Sequence, residues 1–411
     1  MSGGFFRSRW VEPPGAIEEL APEELPSGFR AAGVHCGIKT SGRDLGLLAC
    51  DNDEATSAAR FTRNALVAAP VMVSRRASLS RLRGVVVNSG NANVSNGEAG
   101  VAVAEEMAAT AAAGLGVPRD RVGVASTGVI GLGLERTPVI AGIESALPAL
   151  GPGADDFARS IMTTDRWPKY ASLRVPLAAG EVRLSAQAKG GGMISPGFAT
   201  MLCFVETDAA IDAHTLERLL GAAVERSFER ISVDGQMSTN DSVFAIAGGA
   251  SRVGVTAGSE DELLFAQTLD ALLRQLALEM VADGEGATRV ARLEVTGATG
   301  ATEPVARAVA NSPLVKCALF GGDPNWGRIL AAAGQALPDA DPLFTVAIGG
   351  VEVARDGDAV PLDDERRSEL KHAMRGDEVD IRLSVGVGNE TAEIFFCDLG
   401  PEYVRVNAEY S

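Results

Sequence analysis

The chain has 411 residues with a net charge of −17, and its 46% hydrophobic and 22% charged residues are typical of a globular protein. A chain of this length exceeds one ordinary hydrophobic core, so we expect two or three subdomains. The negative charge argues against a nucleic-acid partner, and no apolar run approaches the ~18 residues of a membrane span.

Cysteine and histidine usage limits the possible chemistry. The five cysteines are widely spaced and include no CxxC pair, which predicts a reducing compartment and therefore a cytoplasmic protein. The three histidines (His35, His214 and His372) have no metal-ligand spacing, which argues against a histidine-rich metal centre. We expect no metal and no bound cofactor. Residues 1–26 lack an apolar core and predict a flexible N-terminal extension rather than a secretory signal.

The first half of the chain alternates apolar runs with alanine- and glycine-rich stretches. The hydrophobic pattern predicts strands at 45–50, 85–88 and 121–125 and helices at 97–116 and 137–147. Residues 126–131 read Ser-Thr-Gly-Val-Ile-Gly after the third strand. A Thr-Gly turn at a strand end can direct a hydroxyl and a backbone N–H at one point, which suits an oxyanion. The glycine spacing lacks the dinucleotide fingerprint, so we do not expect a nucleotide site.

The stretch 189–210, KGGGMISPGFATMLCFVETDAA, joins a lysine and a glycine triplet to an apolar run. The run predicts a buried strand beginning at Thr200, and the loop before it could be strained or cut. A threonine hydroxyl is a poor nucleophile unless a base lies beside it. Cleavage between Ala199 and Thr200 would free an α-amino group, whose ordinary pKa of about 7.7–8.0 suits proton transfer. Taken alone, the stretch is more typical of an ordinary turn before a strand.

The second half predicts further helices and polar turns. Amphipathic periodicity predicts a helix at 213–228, and a Ser-Thr-Asn-Asp turn at 238–241 precedes a strand at 243–247. A capping box at 259–262 opens a long helix. That helix runs into Asp-Gly-Glu-Gly-Ala-Thr, where the little bulk beside Glu285 would let its carboxylate approach an ammonium group.

In order along the chain, these motifs resemble the ornithine acetyltransferase family, also called the bifunctional glutamate N-acetyltransferases. The resemblance extends from Ser27 to Ser411 and includes K-G-G-G-M followed by A-T-M-L, S-T-G-V-I-G, S-I-M-T-T-D, D-G-E-G-A-T and F-G-G-D-P-N-W-G-R. It implies an α/β fold of stacked sheets covered by helices, in two lobes. It also implies an α chain at 27–199 and a β chain at 200–411 that begins with the nucleophile.

The resemblance implies a role for each site residue. Thr200 would be the nucleophile, freed by autocatalytic cleavage after Ala199, and Thr127 and Gly128 would form the oxyanion hole. The implied substrate-binding residues are Thr163, Lys189, Thr200, Glu285, Asn407 and Ser411.

Some positions leave the alignment with the family open. Thr164 replaces Thr163 as the substrate-binding residue if the alignment shifts by one position. Arg289 stands where lysine is usual in the family, and the chain stops at Ser411, four residues after Asn407 rather than five. The terminal hydroxyl contact with substrate is therefore either shifted or missing.

The implied function is transfer of the acetyl group from N2-acetylornithine to glutamate in arginine biosynthesis, through an acetyl-Thr200 intermediate. A bifunctional enzyme would also acetylate glutamate from acetyl-CoA, as a substrate rather than a cofactor. The implied partners are small-molecule substrates and the two fragments of one precursor, associated as a heterotetramer of two each. Three alternatives stay open: an N-terminal-nucleophile aminopeptidase or hydrolase, an acetyltransferase of specialised metabolism whose pocket differs near Gly191 and Phe198, and a binding protein without activity.

Overall fold

The structure, a computed structural model, describes residues 4–195, 201–297, 299–337 and 343–409. The chain divides into two compact units. Unit 1 comprises Met1–Gly190, Gly197–Glu229 and Met237–Ala277. Unit 2 comprises Gly191–Pro196, Arg230–Gln236 and Leu278–Ser411.

The strands of the described chain are β1 (Glu18–Glu19), β2 (Phe29–Val34), β3 (Leu45–Cys50), β4 (Thr56–Phe61), β5 (Gly84–Asn91), β6 (Val122–Val129), β7 (Lys169–Leu177), β8 (Gly180–Lys189), β9 (Leu202–Thr207), β10 (Ile231–Ser232), β11 (Ser242–Ala247), β12 (Val290–Gly297), β13 (Phe344–Ile348), β14 (Val351–Arg355), β15 (Asp358–Ala359), β16 (Glu378–Val385) and β17 (Glu390–Cys397). The α-helices are α1 (Ala69–Arg75), α2 (Gly97–Leu115), α3 (Arg136–Ala146), α4 (Asp155–Ser160), α5 (Ala213–Arg226), α6 (Glu260–Ala282), α7 (Thr302–Ala310), α8 (Pro313–Gly321), α9 (Trp326–Gln335), α10 (Asp364–Ala373) and α11 (Pro401–Glu409).

Two sheets of unit 1 face each other across a shared core. The larger has the order β1-β7-β8-β9-β11-β4, and the smaller has the order β2-β3-β5-β6. Leu48 and Val87 of the smaller sheet share an apolar cluster with Phe204 and Phe244 of the larger sheet. The rings of Phe204 and Phe244 stack with their centroids 5.9 Å apart. The two sheets therefore form a sandwich whose inner residues alternate with outward-facing ones along each strand.

Helices cover the outer faces of both sheets. Val86, which alternates with the inward-facing residues of β5, lies in a second cluster with Met107 of α2 and Ile143 of α3. On the larger sheet, α5 packs against β4 and β11 and buries Leu216 and Leu220. Unit 1 thus consists of four layers in the order helix, sheet, sheet, helix. This arrangement is the predicted one of stacked sheets covered by helices.

Residues 4–26, which the sequence predicts to be a flexible extension, contribute to unit 1. β1 pairs with β7 in antiparallel register, and the side chains of Trp10 and Val11 are buried. The Arg274 guanidinium also donates a hydrogen bond to the Trp10 carbonyl at 3.0 Å.

Unit 2 is built on one mixed sheet with the order β10-β17-β12-β16-β13-β14-β15. The third strand in this order, β12, runs parallel to β16 and antiparallel to β17. Leu293 and Val295 of β12 share a core with Val305 of α7 and Ile329 of α9. The segment Asp-Pro-Asn-Trp at 323–326 leads into α9, where the side chain of Asn325 caps the first helical turn by accepting the Arg328 N–H.

Candidate active site

The predicted site residues are divided between the two units. Those in unit 1 are Thr127, Gly128, Thr163 and Lys189. Those in unit 2 are Gly191, Glu285 and Asn407. Residues Phe198, Ala199, Thr200 and Ser411 lie outside the described part of the chain.

Thr127 and Gly128 lie at the end of β6, which runs parallel to β5. Thr127 is opposite Ser89 and Gly128 is opposite Gly90, and the register shifts directly after Gly90. A Cβ atom at position 128 would lie 2.2 Å from the carbonyl carbon of Gly90, and the Gly128 φ is 136°. The two strand ends therefore approach so closely that only glycine fits at this position.

The prediction that this strand ends at 125 is wrong, because pairing with β5 carries it to Val129. Buried polar side chains hold the extension. The Ser126 hydroxyl donates to Oδ1 of Asn88 at 2.5 Å, and Nδ2 of Asn240 donates to the carbonyls of Ser126 and Ala92 at 2.9 and 2.6 Å. Buried hydrogen bonds of this kind make a rigid support, so the Ser-Thr-Gly motif is part of the sheet rather than a turn after it.

The ammonium group of Lys189 joins the two predicted threonines. Its Nζ lies 2.7 Å from Oγ1 of Thr163 and 3.2 Å from Oγ1 of Thr127. Lys189 is the last residue of β8 and is 2% exposed, whereas Thr163 lies in the turn after α4. Three residues from separate elements thus meet at one buried ammonium, and Thr163 rather than its neighbour Thr164 makes the contact.

Asp165 supports this cluster and is fully buried. Its carboxylate accepts hydrogen bonds from Nζ of Lys169 and the N–H of Gly190, both at 2.8 Å, and from the N–H of Thr163 at 2.9 Å. Its Oδ2 also lies 3.9 Å from Nζ of Lys189. Burial by itself raises the pKa of the Asp165 carboxyl, but the charges of Lys169 and Lys189 outweigh it and hold that pKa well below its ordinary value. The carboxylate therefore stays ionised beside Lys189.

The direction of these hydrogen bonds determines what the threonines can do. A lysine ammonium only donates, so the hydroxyl oxygens of Thr127 and Thr163 accept from Lys189. Each hydroxyl keeps its own proton for donation, and no described residue accepts the proton of Thr127. A buried hydroxyl polarised by an ammonium is suited to stabilising negative charge on an acyl oxygen.

The chain directly after the predicted cleavage position is anchored in unit 1. The N–H of Met201 donates to Oδ1 of Asp241 at 3.0 Å, and the carbonyl of Met201 accepts the N–H of Ser242 at 3.2 Å. From Leu202 onward the chain forms β9, which lies between β8 and β11. The position of Met201 is therefore fixed by a buried side chain and by the sheet.

The chain before the predicted cleavage position is anchored in unit 2. Oδ2 of Asp234 accepts the N–H of Met193 at 2.6 Å, and Oδ1 accepts the N–H of Ile194 at 3.0 Å. The carbonyl of Ile194 accepts the N–H of Val233 at 2.9 Å. The hydroxyl of Tyr403 lies 3.4 Å from the same carboxylate.

Glu285 and Asn407 form a hydrogen-bonded pair in unit 2. Nδ2 of Asn407 donates to Oε2 of Glu285 at 2.7 Å, and the N–H of Glu285 donates to the carbonyl of Gly191 at 2.8 Å. A Cβ at Gly192 would lie 2.5 Å from the carboxyl carbon of Glu285. The space for this carboxylate therefore comes from Gly192, not from the two glycines beside Glu285 in the sequence.

The sequence of the chain matches that of a known family over nearly its whole length. The profile of the ArgJ family matches residues 30–411. The chain is 43% identical to the arginine biosynthesis bifunctional protein ArgJ of Symbiobacterium thermophilum over 394 residues, which is 94% of this chain and 97% of that protein. The chain belongs to the ArgJ family.

Other ArgJ-family proteins give the same result. The ArgJ protein of Chlorobaculum tepidum is 41% identical over 395 residues, covering 94% of this chain and 96% of the relative. Two crystal structures are similar: ArgJ of Bacillus halodurans (35% identity, TM-score 0.47, 50% of this chain and 98% of that chain) and ornithine acetyltransferase of Mycobacterium tuberculosis in complex with ornithine (34% identity, TM-score 0.41, 45% of this chain and 99% of that chain).

Three expectations from the sequence are confirmed by ArgJ-family membership and the fold. They are the family resemblance, the α/β class with several sheets and helices, and the expectation of an enzyme. No described helix is both long and apolar enough to cross a membrane. Among the residues that the structure describes, no group of three or more His, Cys, Asp or Glu side chains could hold a metal ion.

Sequence reasoning assigned no role to three aspartates of this ArgJ-family chain. Asp165 lies two residues after Thr163, and Asp234 and Asp241 lie in the pattern S-x-D-x-x-x-S-T-N-D. That pattern predicts only a polar turn between strands. Two aspartates before one buried strand were the signal that could have indicated a supporting role. A buried carboxylate requires hydrogen-bond donors, and here backbone N–H groups supply them.

Proposed function

We propose that the chain is a glutamate N-acetyltransferase of arginine biosynthesis, which moves the acetyl group from N2-acetylornithine to glutamate. The acetyl group would be carried on Thr200 after autocatalytic cleavage of the bond between Ala199 and Thr200. In a bifunctional enzyme acetyl-CoA would be a second acetyl donor. ArgJ-family membership supports this proposal, and bifunctionality is stated in the names of the relatives.

The proposed maturation begins when the hydroxyl oxygen of Thr200 attacks the carbonyl carbon of Ala199. The C–N bond breaks, the nitrogen takes a proton, and an ester joins the two residues. Water then hydrolyses the ester, releasing the carboxylate of Ala199 and restoring the hydroxyl beside a free α-amino group. That amine is the base that the hydroxyl lacks in the uncut chain.

In the proposed reaction, the α-amino group takes the hydroxyl proton of Thr200 and the oxygen attacks the acetyl carbonyl of N2-acetylornithine. The ornithine amine leaves with a proton, and the amine of glutamate then attacks the acetyl-Thr200 ester. Thr127 and Gly128 would stabilise the acyl oxyanion in both halves, and such donors contribute about 3–4 kcal/mol each in comparable sites.

The observation that carries the proposal is the contact of Lys189 with both Thr127 and Thr163. One buried ammonium orients two hydroxyls, and the hydroxyl of Thr127 keeps its proton for an oxyanion. Lys189 and Thr163 would therefore act on the acetyl group or the substrate backbone. The carboxylate of Glu285, held by Asn407, would bind a substrate ammonium group. Ser411 would supply the last substrate contact.

We further propose that the α and β fragments stay associated as a heterotetramer of two each and that the enzyme acts in the cytoplasm. None of the five cysteines forms a disulfide, which supports a reducing compartment. Native mass spectrometry of the purified protein would test the stoichiometry.

The decisive experiment is the denaturing intact mass of the purified protein before and after brief exposure to N2-acetylornithine, with Thr200→Ala as the control. We expect two fragments that divide between Ala199 and Thr200, and one added acetyl group on the C-terminal fragment. Addition of glutamate should remove that acetyl group, giving ping-pong kinetics. The control should remain a single inactive chain.

Other outcomes would redirect the proposal. Cleavage without acetylation would favour an N-terminal-nucleophile hydrolase or a transferase with another substrate. A single uncut chain in the wild type would contradict the maturation, and sequential kinetics without an acetyl-enzyme would contradict the transfer mechanism.

A further inference from the structure

Asp241 is a buried acid that the proposed mechanism does not use. It directly precedes β11, and none of its side chain is exposed. Its Oδ1 accepts the N–H of Met201 at 3.0 Å, whereas its Oδ2 accepts no hydrogen bond from any described residue. A carboxyl group buried with one oxygen unpartnered is costly to maintain, so the open oxygen calls for a function.

The surroundings of Asp241 favour the neutral form of its carboxyl group. Burial raises the pKa of the Asp241 carboxyl well above its ordinary value, and the Met201 N–H, the hydroxyls of Ser238 and Thr62 and then the charge of Lys189 oppose this only in part. The hydroxyls of Thr62 and Ser238 also face the carboxyl, but the proton of Thr62 is donated to the Ser238 carbonyl at 2.6 Å. Among these groups Lys189 is the one that carries a charge.

Covalent geometry links Asp241 to the predicted nucleophile. The amide nitrogen of Met201 is three bonds from the nitrogen of the preceding residue, which places two such nitrogens within about 4 Å of each other. We propose that Asp241 is a positioning residue for the α-amino group of Thr200, with Oδ1 holding the Met201 N–H and Oδ2 pairing with the new amine. This inference rests on the proposed function, because the uncut chain has no such amine.

The protons balance in this scheme. Hydrolysis of the ester gives a carboxyl group on Ala199, which loses its proton to solvent, and a neutral amine on Thr200. The Oδ2 proton of Asp241 passes to that amine and leaves a carboxylate–ammonium pair. Before acetyl transfer the ammonium loses one proton to solvent and becomes the base. A neighbouring carboxylate raises the pKa of an amine, so Asp241 would set the pH at which the enzyme becomes active.

The test compares Asp241→Asn with the wild type by intact mass and by the pH dependence of kcat/KM for acetyl transfer. The amide can still accept the Met201 N–H but cannot carry a charge. We expect the acid limb of the pH profile to move to lower pH by about one unit or more, because loss of the carboxylate lowers the pKa of the amine. Glu206→Gln is the matched control, since Glu206 is also a fully buried acid with one unpartnered oxygen and lies on β9. Its acid limb should not move.

A D241N protein that matures normally and has the wild-type pH profile would overturn the proposal and leave the acetyltransferase function intact. A wild-type chain that is never cut would instead contradict the proposed function itself. If D241N folds but stays uncut, Asp241→Glu decides: recovery of cleavage by the longer acid supports the positioning role, and failure to recover overturns it.

Discussion

The carboxylate of Asp165 lies 2.8 Å from the ammonium nitrogen of Lys169, and neither side chain is exposed to solvent. The same carboxylate accepts the backbone N–H groups of Thr163 and Gly190, which adjoin or belong to the predicted substrate site. A buried ion pair therefore holds the two chain segments that carry the Lys189–Thr163 contact.

We expect Lys169→Met to lower the free energy of unfolding by about 3 kcal/mol at pH 7, because it leaves a buried carboxylate with a more distant partner. The lowered pKa of Asp165 gives stability that is present above its unfolded value of about 3.9 and is lost as pH falls through the folded pKa. The difference in the free energy of unfolding between the wild type and the variant should therefore be smaller at low pH. Urea unfolding at pH 7 and pH 3.5 would measure it.

The control for this prediction is Arg159→Met. Arg159 and Asp155 have the same four-residue spacing at 2.9 Å, but both side chains are about half exposed. Loss of such a pair should cost less than about 1 kcal/mol. Equal losses in the two variants would contradict a special contribution from the buried pair.

Thr127→Val should reduce the rate of acetyl-enzyme formation by roughly 10²–10³-fold, because it removes one oxyanion donor while preserving side-chain shape. Thr127→Ser should retain most of the rate. The measurement is the time course of acetylation by rapid quench and intact mass. Ser172→Ala, which removes a different buried hydroxyl of unit 1, one without a hydrogen-bond partner among the described residues, should leave the rate unchanged. If the Thr127→Val variant were acetylated at the wild-type rate, Thr127 would not be part of the oxyanion hole.

Gly192→Ala should raise the KM for the substrate bound by Glu285 without lowering stability. The new methyl group would lie 2.5 Å from the carboxyl carbon of Glu285, and a flexible side chain can move away at little cost to folding. The carboxylate would then leave its position beside Asn407. Steady-state kinetics and thermal unfolding together separate the two effects. Gly334→Ala, which has open space around its Cβ in α9, is the matched control for an added methyl group in unit 2.

Glu206→Gln should stabilise the protein at pH 8 but not at pH 4.5. Burial raises the pKa of the Glu206 carboxyl to about 8, although hydrogen bonds from Ser185 and Gln187 oppose the shift. Because this pKa is raised in the folded protein, the contribution of Glu206 to the free energy of unfolding is fully present below the unfolded pKa of about 4.3. It is lost as pH rises through the folded value of about 8.

The amide variant has no proton to lose, so its advantage should grow to a few kcal/mol across that window. Thermal unfolding of both proteins between pH 4.5 and 8.5 would reveal the difference. Parallel stability curves would mean that Glu206 is not the titrating group. Glu144→Gln, at an exposed site on α3, should give such parallel curves.

Local patterns in the sequence predicted elements best where a single residue determines the end. Gly116 ends α2 in the left-handed conformation, at the predicted end of that helix. The end of β6 was missed because it depends on pairing with β5, which lies more than thirty residues earlier in the chain. Pairing between distant strands has no local signal in a single sequence.

The candidate site shows the same limit. Family motifs singled out Thr127, Thr163 and Lys189 one at a time, but no pattern indicated that one ammonium contacts both hydroxyls. The aspartates that support the site accept backbone N–H groups, and every residue except proline supplies one. Such contacts leave no trace in the partner's side chain, so only the fold reveals them.

Because β9 lies between β8 and β11, folding before cleavage differs from refolding after cleavage. If the chain is cut between 199 and 200, β9 and β11 belong to the C-terminal fragment, whereas β8 on one side of them and β4 on the other belong to the N-terminal fragment. The strands of one sheet would then come from two polypeptide chains. The precursor folds as a single molecule, whereas the mature protein, once denatured, would have to refold by association of two chains. Refolding of the mature protein after denaturation would become slow and concentration-dependent. The cleaved chains would therefore refold less readily than the uncut precursor folds.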